Sequence, residues 1–343
     1  MAVSRVKRKF PLAIALAFLA GSTAVLSWSG FIPVRWVESG YSRRIFPTVS
    51  HIAGYFADAV PFSWLDLWIL SAVCALIWSL CHRNWRLPLG LASAGYLIFF
   101  WGWGLNYHRA PIEKRLGFEN LPGPTELEKS QFGAGTTMAV DRLWPIADKQ
   151  RINLENHKAI ALKASDRVRR VIAHIDGTDW RAASHIKHSH LADWWFRAAG
   201  IDGVFNPLGH EPILAGGIPD FELPFLMAHE LAHVYGIADE GDANFVAFLA
   251  TVESDDPGFQ YSALFEMWLH LGKYSLALGP GPKLDFQTFQ ARVLAHEIPQ
   301  VTRLQSAILD SHLKANGVAE GVKSYSKFVA LAIATRNRWA DFR

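Results

Sequence analysis

Hydrophobic and polar positions divide the chain near residue 105. Before it lie three long apolar runs, Phe10–Trp28, Trp64–Cys81 with Asp66 near its start, and Leu87–Leu105, which ends in the aromatic cluster Phe99, Phe100, Trp101 and Trp103. At about 1.5 Å per residue, each is long enough to cross roughly 30 Å of hydrocarbon. The pattern therefore predicts three transmembrane helices, at about 10–28, 64–81 and 87–105. Asp66 lies within a turn of the interface, where its charge reaches polar surroundings. After Asn106 the pattern turns mixed, with Pro111, Pro122, Gly123 and Pro124 as punctuation. Thr125-Glu-Leu-Glu128 is a capping box that opens a helix. Apolar residues at helical spacing predict further helices at about 135–150, 157–175, 258–276, 284–297, 299–315 and 319–340. Residues 198–223 are rich in Gly, Pro, Asp and Asn and read as an extended loop with one or two short strands. There is no internal repeat, and strand-like alternation is scarce.

Composition fits this division. Of 343 residues, 50% are hydrophobic and 19% charged, which excludes a disordered or collagen-like chain. Cys74 and Cys81 are the only cysteines, too few for a disulfide framework or a cysteine-rich zinc module. Residues 1–105 carry nine Lys/Arg against three acids, and residues 106–343 carry 25 against 28. Basic residues flank the apolar runs: Arg5, Lys7, Arg8 and Lys9 precede the first, and Arg83 and Arg86 lie in the short loop after the second. The longer Ser29–Ser63 connection holds Arg35, Arg43 and Arg44. Positive-inside bias then places the N-terminus in the cytoplasm, and three crossings put residues 106–343 outside it. The first run also fits a cleaved signal peptide. Cleavage leaves the C-terminal part on the same side.

Between Arg197 and Lys273 there is no Lys or Arg, against twelve Asp/Glu, so no nucleic-acid surface is centred there. Most of these acids read as a solvated face. The same stretch holds His229-Glu230-Leu231-Ala232-His233. On a helix, histidines four apart project from one face toward a shared point, and Glu230 lies beside them. This is the HExxH arrangement of zinc hydrolases. Pro219 and Pro224 precede the helix, Asp220 and Glu222 suit its N-terminal end, and Gly236 is placed to end it.

A catalytic zinc needs a third protein ligand and one open position. Asp239 would complete His-Glu-x-x-His-x-x-Gly-x-x-Asp, a spacing similar to the metzincin style. Glu240 opens Glu-Gly-Asp-Ala-Asn, which resembles the Glu-x-x-Ala-Asp ligand helix of membrane zinc peptidases related to the CAAX-processing type. Helix geometry favours Glu240, with Asn244 beside it as a supporting partner.

The chain as a whole resembles the bacterial domain-of-unknown-function 3810 family, membrane proteins with three N-terminal helices and an HExxH domain. The resemblance runs through Tyr41-Ser-Arg-Arg-Ile-Phe-Pro47, Pro61-Phe-Ser-Trp-Leu-Asp66, Trp103-Gly-Leu-Asn-Tyr107 with Arg109, Gly200-Ile201, Phe205-Asn-Pro207, Leu223-Pro-Phe225, His229–His233 and Glu240–Leu249. Asp242 stands where the family usually has a second Glu. Asn206-Pro-Leu-Gly-His-Glu211 replaces its usual Pro-Phe-Thr-Gly-Glu. The resemblance implies a zinc metallopeptidase without naming a substrate.

The expected fold is mainly α: three transmembrane helices in residues 1–105, then one mostly helical zincin-like domain in 106–343 with at most a few short strands. In the expected mechanism His229, His233 and Glu240 bind Zn²⁺, and Glu230 takes a proton from the zinc-bound water as it attacks a carbonyl. Expected partners are the lipid bilayer and a protein or peptide substrate outside the cytoplasm. Two alternatives stay open: a non-catalytic tethered binding or assembly protein with a structural or vestigial metal, and a zinc amidase acting on a non-peptide amide. His210, Tyr261 and His270 are candidate donors to the developing oxyanion. His185, His188 and His190 read as a polar loop rather than a metal cluster. Trp194-Trp195-Phe196 suits either the membrane surface or the core. Arg167, Arg169 and Arg170 read as a solvated helix face.

Overall fold

The computed structural model describes residues 12–118, 120–121, 123–151, 157–182, 185–316 and 327–342. The basic tail at Arg5, Lys7, Arg8 and Lys9, the first two residues of the first apolar run, Pro122, and the opening of the predicted 319–340 helix lie outside the described residues.

The architecture is mainly helical. The apolar runs form α1 (Leu12–Trp28), α4 (Trp64–His82) and α5 (Arg86–Gly102). Among the described residues, α4 has the length and hydropathy to cross a membrane, and α1 is apolar but shorter. Helix α1 packs along α5, with Gly90 leaving room for Ala13. The connection between α1 and α4 is also helical, a feature the polar pattern there did not predict. It consists of α2 (Val34–Trp36), a wide π-type turn at Val37–Ile45, and α3 (Phe46–Asp58).

Helix α4 is fastened to the rest of the protein at its first turn. Ser63 caps it, accepting from Leu65 N at 3.1 Å, while its hydroxyl donates to Glu211 at 2.8 Å. The buried Glu211 carboxylate also accepts from Trp64 N at 3.0 Å and Leu65 N at 2.9 Å. A carboxylate suits this position because helix N-termini carry unsatisfied N–H groups and positive potential. Lys187, itself buried, pairs with Glu211 at 3.1 Å. Asp66 accepts from Ser189 Oγ and from the backbone of His190 at 2.9 Å and Leu191 at 3.2 Å.

After a short 3₁₀ turn come α6 (Ile112–Arg115) and α7 (Glu126–Arg151), then α8 (His157–Asp176) and α9 (Asp193–Ala199). The Thr125–Glu128 box forms as read, with reciprocal bonds of 2.9 and 3.2 Å, and the helix it opens, α7, runs unbroken through the separate helix predicted at 135–150. Strands β1 (Gly203–Asn206) and β2 (Glu211–Leu214) form an antiparallel hairpin with Val204 opposite Ile213. Helices α10 (Leu223–Val234), α11 (Glu240–Val252), α12 (Pro257–Leu271), α13 (Pro280–His296), α14 (Pro299–Ala315) and α15 (Lys327–Thr335) follow, and a 3₁₀ segment at Arg336–Phe342 ends the described chain.

Helices α8, α10, α11, α12 and α15 enclose the main core. One buried cluster runs across residue 106: Val37, Tyr41, Phe46, Phe100 and Trp103 share it with Leu231, Phe245 and Phe248. Arg167 corrects the expected solvated face. It is buried, and its guanidinium donates to the carbonyls of Ala250 at 3.1 Å and of Glu253, the C-terminal turn of α11 where carbonyls lack helical partners. Arg169 and Arg170 do pair at the surface with Asp166.

Candidate metal centre

Helix α10 is apolar on nearly all sides, which buries it, and Pro224 fits its first turn, where a missing N–H costs nothing. The helix ends at Gly236, whose φ of +81° is readily reached only without a side chain. A Cβ there would lie 2.8 Å from Phe46 and 3.1 Å from Asn106. Ile237 N bonds back to Ala232 O at 3.1 Å and Gly236 N to His233 O at 3.0 Å, a glycine-terminated helix end. This tight turn returns the chain so that α11 starts beside the histidines. Asp239 caps α11, accepting from Asp242 N at 3.0 Å. The cap holds the Asp239 carboxylate away from the histidines and leaves Glu240 facing them.

The resulting geometry is compact. His229 Nε2 lies 3.2 Å from His233 Nε2, and Glu240 Oε2 lies 3.3 Å from the first and 3.5 Å from the second. A tetrahedral zinc with bonds of about 2.0–2.1 Å sets ligand-to-ligand edges of about 3.3–3.4 Å. The donor triangle thus has the size of one face of such a site. Among the described residues, these three form the one group able to hold a metal ion. The neighbour of His233 fixes the tautomer of its neutral form: Nδ1 lies 2.6 Å from the Ile237 carbonyl, which can only accept, so Nδ1 donates and Nε2 is the nitrogen that would turn to a metal on losing its proton.

Charges follow from burial and contact. Burial disfavours the Glu240 carboxylate, but His233 and His229 outweigh this and hold it far below the usual carboxylate range. Burial likewise opposes the charged His233, yet Glu240 raises that imidazole to about 9 in the absence of a metal. For Glu230 burial wins: it pushes the carboxyl up to about 7 although the two histidines oppose the shift. Its Oε2 is buried without a hydrogen-bond partner among the described residues, and a proton-shuttling group needs such a free oxygen.

The site opens into a cavity of about 1120 Å³. Two of its polar walls come from residues far apart in sequence. Tyr107 OH lies 3.4 Å from His312 Nε2. Both line the cavity with Asn244 and His270. Burial and the charge of Glu240 keep the Tyr107 hydroxyl protonated. In the sequence, Tyr107 belongs to a family motif that carries no role, and no spacing points to His312. The sequence-stretch candidates divide. His270 lines the cavity and bonds Glu266. His210 is buried against Ser50 at 2.6 Å, with burial lowering its pKa to about 4, and Tyr261 donates to Asp285 at 2.6 Å. Asp242 pairs with Lys327 at 2.8 Å. His185 pairs with Asp58 at 3.0 Å and His188 with the Leu214 carbonyl at 2.9 Å. In Trp194-Trp195-Phe196, Phe196 is buried and Trp194 exposed.

A family model described as protein of unknown function (DUF3810) matches residues 41–333. The chain belongs to the DUF3810 family. The match takes in α3 through α15 almost completely, so the donor triangle and the α4–α5 pair both lie within the region that defines DUF3810. No curated protein and no solved structure matches the chain.

Proposed function

We propose that this DUF3810 protein is a membrane-anchored zinc-dependent hydrolase, a metallopeptidase in which His229, His233 and Glu240 hold the metal and Glu230 is the general base. One observation carries the reading: three donors spaced as a tetrahedral face, beside a buried carboxyl with a free oxygen, at the end of a large cavity. Three protein donors are one short of a closed four-coordinate site, the arrangement of catalytic rather than structural zinc. When bound, zinc supplies Lewis acidity and brings the pKa of a coordinated water to about 7. Glu230 accepts the proton as the water oxygen bonds to the carbonyl carbon. As the C–N bond breaks, Glu230 returns that proton to the leaving amine. Tyr107 is the donor we assign to the developing oxyanion.

A peptide is favoured over another amide by β1. Its one strand neighbour is β2 among the described residues. Ala215 N bonds Asp202 O at 2.9 Å, so alternation along the antiparallel pair turns the main-chain groups of Gly203 and Phe205 toward the other edge. That edge lines the cavity and can take an extended peptide by main-chain pairing.

The membrane reading rests on exposure. Leu12, Phe18, Leu70, Ile77, Leu89 and Ile98 on α1, α4 and α5 are large, apolar and exposed, more apolar side chains than water favours on three helices. We place α1, α4 and α5 in the bacterial cytoplasmic membrane, with the N-terminus inside and the metal centre outside.

The decisive experiment is Glu230→Gln in the purified full chain. Expected are one zinc per chain in both forms and a loss of hydrolysis by a factor of about 10³ or more. Hydrolysis unchanged in the variant, or no metal in either form, rejects the assignment.

A further inference from the structure

The cavity does not stop at the metal centre. Its walls continue along α4 at Trp68, Ala72 and Leu76, and along α5 at Phe99, Gly95 and Leu91. These positions are four or eight apart, so each set is one stripe of its helix. The first turn of α4 and the last turn of α5 are the ends tied to the metal-bearing part: Asp66 binds the Ser189–Leu191 backbone, and Trp103, just past α5, donates to His233 O at 2.9 Å. From those ends each stripe runs about 12 Å down its helix at 1.5 Å per residue. Leu76 and Leu91 line the cavity and are nevertheless exposed. The far end therefore opens sideways, between two helices that we place in the bilayer.

The hairpin joins this seam to the chemistry. At one end of β1, a Cβ on Gly203 would lie 2.5 Å from Glu230. At the other end the turn after β1 brings Leu208 to α5, 4.0 Å from where a Gly95 Cβ would be. A chain paired along the free edge of β1 would thus run from Glu230 to the α4–α5 seam. Small residues at Ala72 and Gly95 keep the seam wide, and it offers apolar walls at depths where a water-soluble peptide has nothing to gain.

We infer that the substrate is a membrane-embedded polypeptide, held with its spanning segment in the α4–α5 seam and its adjoining extended residues along β1, so that the bond presented to Glu230 lies just outside the membrane. This rests on the hydrolase reading above, and the test separates the two.

The full chain carrying Glu230→Gln is placed in phosphatidylglycerol–phosphatidylcholine vesicles with a photo-crosslinking p-benzoylphenylalanine at Leu76, Leu91, Leu89 or Ile98. All four are exposed, so folding tolerates the change, and only the first two line the seam. The probe is a synthetic peptide of about 20 apolar residues followed by a short polar tail, compared with the tail alone. Expected is at least about tenfold more labelling of the spanning peptide from Leu76 and Leu91 than from Leu89 and Ile98, a discrimination of about 1.4 kcal/mol. Equal labelling from all four positions overturns the inference. So does labelling of lipid alone at the seam, or equal labelling of the tail peptide. Seam labelling with no cleavage by the unmutated chain overturns the hydrolase reading and leaves the seam as a docking site for a spanning segment that is not a substrate. Cleavage of the tail peptide without seam labelling does the reverse.

Discussion

Glu230 stands against the backbone of Gly203. A methyl group at that position would lie 2.5 Å from its Oε1 and 2.9 Å from its Cγ, so the whole side chain has to move. Misplacing a reacting group by about 1 Å costs about 10²-fold in rate. Gly203→Ala is therefore expected to lower kcat about 100-fold while zinc content stays at one per chain, measured by turnover and metal analysis on the same sample. Unchanged kcat would mean that Glu230 does not act from this position. Tyr107 calls for a different signature. Its hydroxyl is assigned to charge that appears only in the transition state, so Tyr107→Phe is expected to lower kcat by about 10²-fold with KM within about twofold. A KM effect without a kcat effect would make Tyr107 a binding residue instead. The difference in legibility between these residues is physical. His229, Glu230 and His233 share one helical turn, so their spacing alone announces a common focus. Tyr107 and His312 are 205 positions apart, and only the packing of α14 near the end of α5 brings them together.

At the scale of elements, the helices that were legible are those with a 3.6-residue period or a cap whose partners are near neighbours. Thr125 and Glu128, three apart, are such a cap. The connection before α4 was opaque because its buried residues Val37, Tyr41 and Phe46 step by four and then five. That step suits the i→i+5 bonding of a π-type turn and neither standard period. The wide turn presents Glu38 to Arg109 at 2.9 Å. Arg109 reaches Asp176, at the end of α8, at 3.0 Å, and Arg115 bonds the other Asp176 oxygen. All four side chains are largely buried. Burial opposes the Asp176 charge, but the two guanidiniums outweigh it and hold its pKa below the usual carboxylate value. A folded-state pKa below the unfolded value of about 3.9 gives stability that is present above about pH 4 and lost as pH falls. Asp176→Asn leaves two buried cations sharing Glu38 and is expected to cost about 3–5 kcal/mol at pH 7. The gap in unfolding midpoint between the variant and the parent should narrow below about pH 4, followed by thermal denaturation across pH. A gap that stays constant through that range would remove the ionised Asp176 from the stabilising cluster.

The molecule as a whole couples the apolar helices α1, α4 and α5 to the candidate metal centre through shared parts rather than a linker. Glu211 of the hairpin caps α4, Trp103 after α5 holds the His233 carbonyl, and one core spans both regions. The division by composition near residue 105 is not a boundary between cores, since hydropathy reports what a segment faces and says nothing of what its ends are bonded to. The proposed orientation in the membrane decides on which side the candidate site lies, and the native cysteines can read it. Cys74 and Cys81 are both free and exposed on α4. Cys81 is beside the loop with Arg83 and Arg86, the basic side of the predicted topology. Cys74 is seven residues earlier, about 10 Å deeper at 1.5 Å per residue, where an aqueous reagent does not reach. A membrane-impermeant maleimide is therefore expected to modify Cys81 in inverted vesicles and not in intact cells, with Cys81→Ser abolishing the signal and Cys74→Ser leaving it. Modification from the outer side would put the metal centre in the cytoplasm. Substrates cut next to their spanning segments would then be cut on the inner face, and the positive-inside argument would fail for this chain.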